Sequence, residues 1–157
     1  MIYYGVSLKN KFMSVVPDSM KNRVTIAAPE TLNCTCAEAM GIALNVIDKE
    51  IAANNMPLTV MVSIVIVQAD TISLSFNSRE ETGTYTPLIL LPAHRWENFN
   101  YTLWRIVVCI LEELCHCFFG IRDEVRVNYK VTELLCKYHP EAEVTNDDSR
   151  YYFSQSK

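Results

Sequence analysis

The sequence predicts an α+β fold, in which a small sheet lies between helical segments of the chain. Apolar residues recur at three- and four-residue steps from about Cys36 to Asn54 and again in the long apolar segment that ends near Phe119, which is typical of helices. Between these segments, Leu58 to Gln68 is rich in β-branched residues, and Tyr85 to Leu91 has the composition of a strand. Strands grouped apart from helices indicate α+β rather than alternating α/β topology.

The first half of the chain contains an N-terminal helix and a sheet of three or four strands. A short strand is predicted from Arg23 to Ala28, before the helix, which ends where Met56-Pro57 disfavours helical backbone. Thr71 to Asn77 alternates apolar and polar residues and predicts a hairpin with the strand before it. Pro87 indicates an edge position for the last strand, because proline has no N–H for a sheet ladder.

Two helices are predicted in the second half, separated by a tight turn. Asn98 or Asn100 is expected to cap the first of them, and Gly120 to end it. Asp123 is expected to cap the second, which continues to about Lys137. The turn reverses the chain, so the two helices are predicted to pack antiparallel.

Length and composition limit the classes of protein to which the chain can belong. A chain of 157 residues is of single-domain size, and we expect one domain over residues 1–140 with a polar C-terminal tail over 141–157. The net charge of −4 and the lack of a Lys/Arg cluster disfavour nucleic-acid binding. No apolar run reaches the ~18 residues of a membrane span. With no signal peptide, the six cysteines are expected to be reduced thiols of a cytoplasmic protein. The sequence does not predict an oligomeric state.

The segment ILEELCHCFFG places charged residues in apolar surroundings. Glu112 and His116 are four residues apart, so both lie on one face of a helix, with Glu113 beside them. This is the geometry of the HExxH motif with its first histidine replaced by glutamate, and a carboxylate is an acceptable zinc ligand. Buried charges are normally paired or bound to a metal, so the pattern predicts a metal site.

Other interpretations of these residues stay open. Both glutamates can instead face solvent on an amphipathic helix, and His116 can be a hydrogen-bonded core residue. Glu113 and His116 also match the Glu-x-x-His element of di-iron bundles, but the chain offers no second such element. Four of the six cysteines form two Cys-x-Cys pairs, which match structural zinc sites only weakly.

The helix after the turn carries a further candidate ligand. Glu124 lies in its first turn, so it can approach His116 across the corner, and the helix dipole favours its ionised form. Glu124-Val-Arg-Val-Asn128, with the Leu134-Leu135 pair beyond it, is similar to the glutamate-bearing segment of zincin metallopeptidases, E-x-E-A-N followed by F-A-x-x-L-L. The chain therefore resembles the zincins, particularly the gluzincin and ImmA/IrrE groups, over residues 36–138 in element order and 112–135 in motif.

The resemblance implies a zincin-like fold and a metal-dependent peptidase. Zn²⁺, or Mn²⁺ as a harder alternative, would be held by Glu112, His116 and Glu124, with Asn128 supporting the ligands from outside. Glu113 would be the general base that activates the metal-bound water. The substrate would be a peptide or protein whose backbone adds to the edge strand. The alternative is a catalytically inactive zincin-like binding or regulatory module, with or without a bound metal.

Overall fold

The structure, a computed structural model, describes residues 9–10, 13–29, 34–68 and 87–142. Two short 3-10 turns, Met13–Val15 and Asp18–Met20, precede the second strand. The strands and helices in chain order are β1 Lys9–Asn10, β2 Val24–Ala28, α1 Cys34–Ala53, β3 Val62–Val67, β4 Leu88–Pro92, α2 Ala93–Asn98, α3 Leu103–Phe119 and α4 Glu124–Tyr138.

The described strands form one sheet in the order β1-β2-β3-β4. β2, β3 and β4 are parallel, with Ile26 opposite Ile64 and Ile64 opposite Ile89, whereas the two-residue β1 is antiparallel to β2. β3 begins four residues later than the predicted start at Leu58. The predicted hairpin strand from Thr71 to Asn77 lies outside the described residues.

One face of the sheet packs into the core. Residues of β3 alternate between buried and half-buried, so Val62, Ile64 and Ile66 share the inner face. They join one hydrophobic cluster with the inner residues of β2 and β4 and with the apolar faces of α1, α3 and α4. This arrangement confirms the α+β class, whereas the zincin-like details of the fold stay predictions.

The helix predicted from Cys36 to Asn54 is observed as α1, although β1 and β2 precede it in the chain. The helix ends at Ala53, and two residues later the backbone enters the left-handed region at Asn55, whose φ is 50°. The amide of Met56 donates to the carbonyl of Ile51 at 3.0 Å, which satisfies an end carbonyl of the helix. Pro57 then disfavours further helix, as predicted.

The two C-terminal helices begin and end through side-chain caps and a glycine. The predicted caps of α3, Asn98 and Asn100, are wrong, because Asn98 ends the unpredicted helix α2 and Asn100 lies in the loop with φ of 48°. Thr102 caps α3 instead, accepting from the amide of Arg105 at 3.3 Å. Gly120 ends α3 with φ of 64°, where a Cβ would strain the backbone.

The second helix, α4, follows the prediction closely. The Asp123 side chain accepts from the amide of Arg126 at 2.8 Å and caps it. The helix ends at Tyr138, one residue beyond the predicted Lys137. Most of the predicted C-terminal tail, residues 143–157, lies outside the described residues. Within the described ranges, no helix is both long enough and apolar enough to cross a bilayer.

Candidate functional site

The charged residues of the predicted motif lie on the outer stripe of α3. Glu113 is exposed, while Glu112 and His116 are partly exposed. Together with the half-buried Cys109 they recur at three- and four-residue steps, so they share one side of the helix. The expectation that these charged residues lie in fully apolar surroundings is wrong, because Glu113 is exposed and Glu112 and His116 are only partly buried. The core-facing residues are Ile106, Val107, Val108, Ile110, Leu111, Leu114, Cys115 and Phe118.

The structure brings two of the predicted ligands together. The Nε2 atom of His116 lies 3.6 Å from the Oε1 atom of Glu124, which confirms the predicted approach across the corner. The Nδ1 atom of the same ring contacts the carbonyl oxygen of Ile121. A carbonyl can only accept, so Nδ1 donates to Ile121, and Nε2 is the ring nitrogen that faces Glu124.

Glu124 and Asn128 lie one turn apart at the start of α4. The side chain of Glu124 is 78% exposed, so solvent surrounds the carboxylate at this corner. The Oδ1 atom of Asn128 is buried and has no hydrogen-bond partner among the described residues, while its backbone carbonyl accepts from the hydroxyl of Thr132 at 2.9 Å. The supporting role of Asn128 therefore stays a prediction.

Two of the three predicted donors meet at this corner. In the part of the chain that the structure describes, no three side chains of His, Cys, Asp or Glu form a group that could hold a metal ion. Catalytic zinc sites use three protein ligands and a water. Here His116 and Glu124 supply two donors, and Glu112 as the third ligand stays a prediction.

The buried carboxylate of the described structure belongs to Glu50 on α1. Its side chain is 4% exposed. Oε1 accepts from Lys130 Nζ at 2.8 Å, and Oε2 accepts from Lys137 Nζ at 2.8 Å and from the hydroxyl of Tyr138 at 2.9 Å. All three partners lie on α4, so this cluster, the Glu50 cluster, joins α1 to α4.

A signal for this cluster is present in the sequence. Lys130 and Lys137 are seven residues apart, two turns of helix, and so lie on one face of α4. Leu134, fully buried, lies between them on that same face. From this face the two ammonium groups can reach a carboxylate on a neighbouring helix, which the helical pattern of α1 alone does not locate.

The electrostatics of the Glu50 cluster favour the ionised form of the Glu50 carboxyl group. Burial raises the pKa of Glu50, but hydrogen bonds from Lys130, Lys137 and Tyr138 outweigh it and lower the pKa to about 2. The same contacts with Glu50 raise the pKa of both lysines, against the effect of burial. A carboxylate this weakly basic, with both oxygens occupied, is suited to holding two helices together rather than to moving protons.

A second candidate site is a cleft of about 300 Å³ between the first turn of α1, α2 and the beginning of α3. Trp96, Glu97 and Tyr101 are among its lining residues, with Cys36 at its α1 side. Burial, with a smaller contribution from the charge of Glu97, raises the pKa of the Cys36 thiol to about 12. This thiol therefore stays protonated at neutral pH and is not a nucleophile.

A third candidate is the outer face of the sheet. Leu88 and Leu90 of β4 are 45% and 37% exposed, and Val65 lies half-buried beside Leu90. Toward β2 the same face carries a Thr25 to Ser63 side-chain hydrogen bond of 3.2 Å. None of the residues of β2, β3 and β4 is charged. This face is apolar along β4 and becomes polar toward β2.

Comparison with protein-family models, with curated proteins and with solved structures found no match for the chain.

We expect Glu50→Gln to destabilise the protein by about 3 kcal/mol, because removing one partner of a buried ion pair leaves the remaining charges without compensation. Chemical denaturation followed by circular dichroism measures the change. Glu113→Gln is the matched control, since the same substitution at an exposed position of α3 changes stability by less than about 0.5 kcal/mol. Equal unfolding midpoints for the two variants would contradict the structural role of Glu50.

Stability should also fall at acid pH because of Glu50. Its pKa is about 2 in the folded protein against an ordinary value of 4.5, so its contribution is fully present above pH 4.5 and disappears as the pH falls toward 2. The shift corresponds to roughly 3 kcal/mol. The unfolding free energy of the natural protein should therefore decline more steeply between pH 4.5 and 2 than that of Glu50→Gln. Parallel profiles would show that the carboxylate is not held in its ionised form.

Proposed function

We propose that this chain is a non-catalytic peptide-binding module, to which an extended segment of a partner protein adds along β4. The observation that carries the proposal is the outward exposure of Leu88 and Leu90 on the last strand of the described sheet. Ile89 and Leu91, which alternate with them, are only 3% exposed and face the core. The strand thus has one apolar side for its own fold and a second apolar side for a partner.

The backbone of β4 is arranged to accept another strand. The amide of Ser63 on β3 donates to the carbonyl of Pro87 at 3.0 Å, and Ser63 stands opposite Leu88 in the parallel register. In a parallel ladder this register directs the N–H and C=O groups of Leu88 and Leu90 away from β3. Among the described strands, β3 is the only neighbour of β4, so no described strand uses these groups, and a partner strand that pairs with the sheet edge would use them.

The chemistry of β4 defines the partner segment. Exposed edge strands in proteins that avoid association usually carry charged residues or bulges, and the sequence LILLP carries no charge. Parallel sheets are also normally covered on both faces. An extended segment of four to six residues with apolar side chains at alternate positions would satisfy the backbone groups and shield Leu88 and Leu90. A strongly charged segment would not bind this surface, because the strand offers no charge to pair with it.

This proposal corresponds to the inactive-module alternative of the zincin resemblance. The location that fits it is the cytoplasm, because all six cysteines lie among the described residues as free thiols.

Replacing both Leu88 and Leu90 by lysine should weaken peptide binding and leave the fold intact. The probe is a phage-displayed random heptapeptide library selected on the immobilised protein. We expect enriched sequences with alternating apolar residues, whose affinity falls at least ~10-fold for the double variant, as fluorescence polarisation would measure. Val125→Lys is the control, since this exposed valine lies on α4.

Two results would refute the peptide-binding module. One is the enrichment of peptides that lack the alternating pattern or that bind the double variant as well as the natural protein. The other is unfolding of the double variant in circular dichroism, because that would identify Leu88 and Leu90 as part of the protein's own core.

A metal-dependent peptidase is the second candidate. The contact between His116 Nε2 and Glu124 favours it, together with the contact of His116 Nδ1 with a backbone carbonyl, which is the usual support of a metal-bound histidine. In that function His116 and Glu124 would bind Zn²⁺ or Mn²⁺, Glu112 would complete the set, and Glu113 would be the base.

Metal content and proteolysis separate the two candidates. For the peptide-binding module we expect less than stoichiometric zinc and manganese in the purified protein, and equal background hydrolysis of casein by the natural chain and Glu113→Gln. About one equivalent of metal that is lost in His116→Ala and Glu124→Ala, with casein hydrolysis that disappears in Glu113→Gln, would establish the peptidase instead. Elemental analysis after dialysis gives the metal content.

A further inference from the structure

We propose that the outer face of α4 binds a second copy of this chain, so that two α4 helices pack antiparallel about a two-fold axis. The inference is independent of the peptide-binding function, because α4 and β4 have no residue in common. Two apolar side chains of this face lie one helical turn apart in solvent, since Val125 is 61% exposed and Tyr129 is 73% exposed. Cys136, further along the same face, is also exposed.

The spacing of these residues is that of a helix-pairing surface. The α4 seam consists of residues at steps of four, three and four, namely Val125, Tyr129, Thr132 and Cys136. This alternation keeps side chains along one line of a helix that packs against another helix. The opposite side of α4 faces the protein's own core with Val127, Val131, Leu134 and Leu135. The helix therefore has one apolar face for its own fold and a narrower second face for another helix.

Charge selects a second copy as the partner and sets its direction. Arg126 and Glu133 are exposed and seven residues apart, which is two turns of helix, so they flank the α4 seam on the same side. When two identical helices pack antiparallel, this flank meets the same flank of the other helix, and each Arg126 lies beside Glu133 of the partner subunit. A parallel pair would instead bring this flank against the opposite one, where Asn128 stands in place of a charge.

The apolar and the charged pattern place the two-fold axis at the same point. If Val125 lies opposite Cys136 of the partner subunit, the axis passes between residues 130 and 131, and the pairing of Arg126 with Glu133 places it between residues 129 and 130. Lys130 is beside this axis, where two like charges would repel. Its ammonium group, however, lies 2.8 Å from the Glu50 carboxylate and its side chain is only 20% exposed, so its charge is compensated within each subunit.

Glu133 can accept a second cation in addition to the partner it already has. Its Oε1 atom accepts from Lys130 Nζ at 3.1 Å, yet its side chain remains 59% exposed. An ionised carboxylate has about four acceptor positions on its two oxygens, and Glu50 accepts from three donors in this protein. The guanidinium of Arg126 takes part in no ion pair or side-chain hydrogen bond within the described ranges, so its donors remain for the partner subunit.

Charge reversal tests the pairing in sedimentation velocity under reducing conditions. Two helices that meet along one seam bury less than the ~1,600 Å² of a standard interface, so we expect a weak dimer that forms as the concentration approaches the millimolar range. Arg126→Glu and Glu133→Arg should each raise the dissociation constant at least ~10-fold, because two attractive pairs become repulsive. The double exchange Arg126→Glu/Glu133→Arg should restore the dimer. Arg95→Glu, the same reversal at an exposed position of α2, should leave it unchanged.

A disulfide tests the register of the two helices. Val125→Cys places a thiol opposite Cys136 of the partner subunit, so mild oxidation should give a covalent dimer on a non-reducing gel. This dimer should be absent from Val125→Cys/Cys136→Ser and from the natural protein. A crosslink that survives in Val125→Cys/Cys136→Ser would overturn the antiparallel arrangement.

The dimer itself is refuted if the natural protein stays monomeric at every concentration. A double exchange that associates no better than Arg126→Glu would also refute it, since the two charges would then not face each other. A dimer that persists in Arg126→Glu and is lost when Leu88 and Leu90 are replaced by lysine would place the contact at β4 instead. Circular dichroism verifies that each variant is folded before sedimentation.

Discussion

The position of α4 depends on one buried interaction, the carboxylate of Glu50 held by Lys130, Lys137 and Tyr138. Apolar packing brings α1, α3 and α4 into one core, but it is not directional. The Glu50 cluster fixes the orientation of α4 relative to α1, because a buried carboxylate with two oxygens requires donors at particular positions on the facing helix. A rotation of α4 about its axis would separate the lysines from Glu50 and leave its carboxylate buried without partners. The corner between α3 and α4 therefore has a fixed geometry.

The contact between His116 and Glu124 at this corner is the part of the predicted site that is observed. Gly120 and Asp123 were identified from the sequence because helix ends have strong local rules, and these residues bring Glu124 to His116. Thr102 was missed as a cap because two asparagines upstream offered the same chemistry, and only the packing of α2 decides among them. Zinc, the ligand role of Glu112 and catalysis by Glu113 stay predictions.

Other features depend on tertiary contacts that a single sequence does not contain. The burial of Glu50 is decided by lysines eighty residues or more away in the chain. The exposure of Glu113 is decided by which side of α3 meets the core. The polar side of this helix was hard to recognise from the sequence, because its cysteines resemble small apolar residues. The strands of the core sheet were located from their β-branched composition, but their parallel order was not, since local patterns do not specify pairing partners.

The last strand passes directly into α2, since Pro92 ends β4 and Ala93 begins the helix. The outer leucines and the aromatic wall of the cleft thus belong to one short segment without a loop to absorb displacement. A slip of this strand by a single residue would turn Leu88 and Leu90 toward the interior and would carry Trp96 and Glu97 about 3.3 Å from their places. Neither surface can therefore be re-engineered by insertion without misplacing the other.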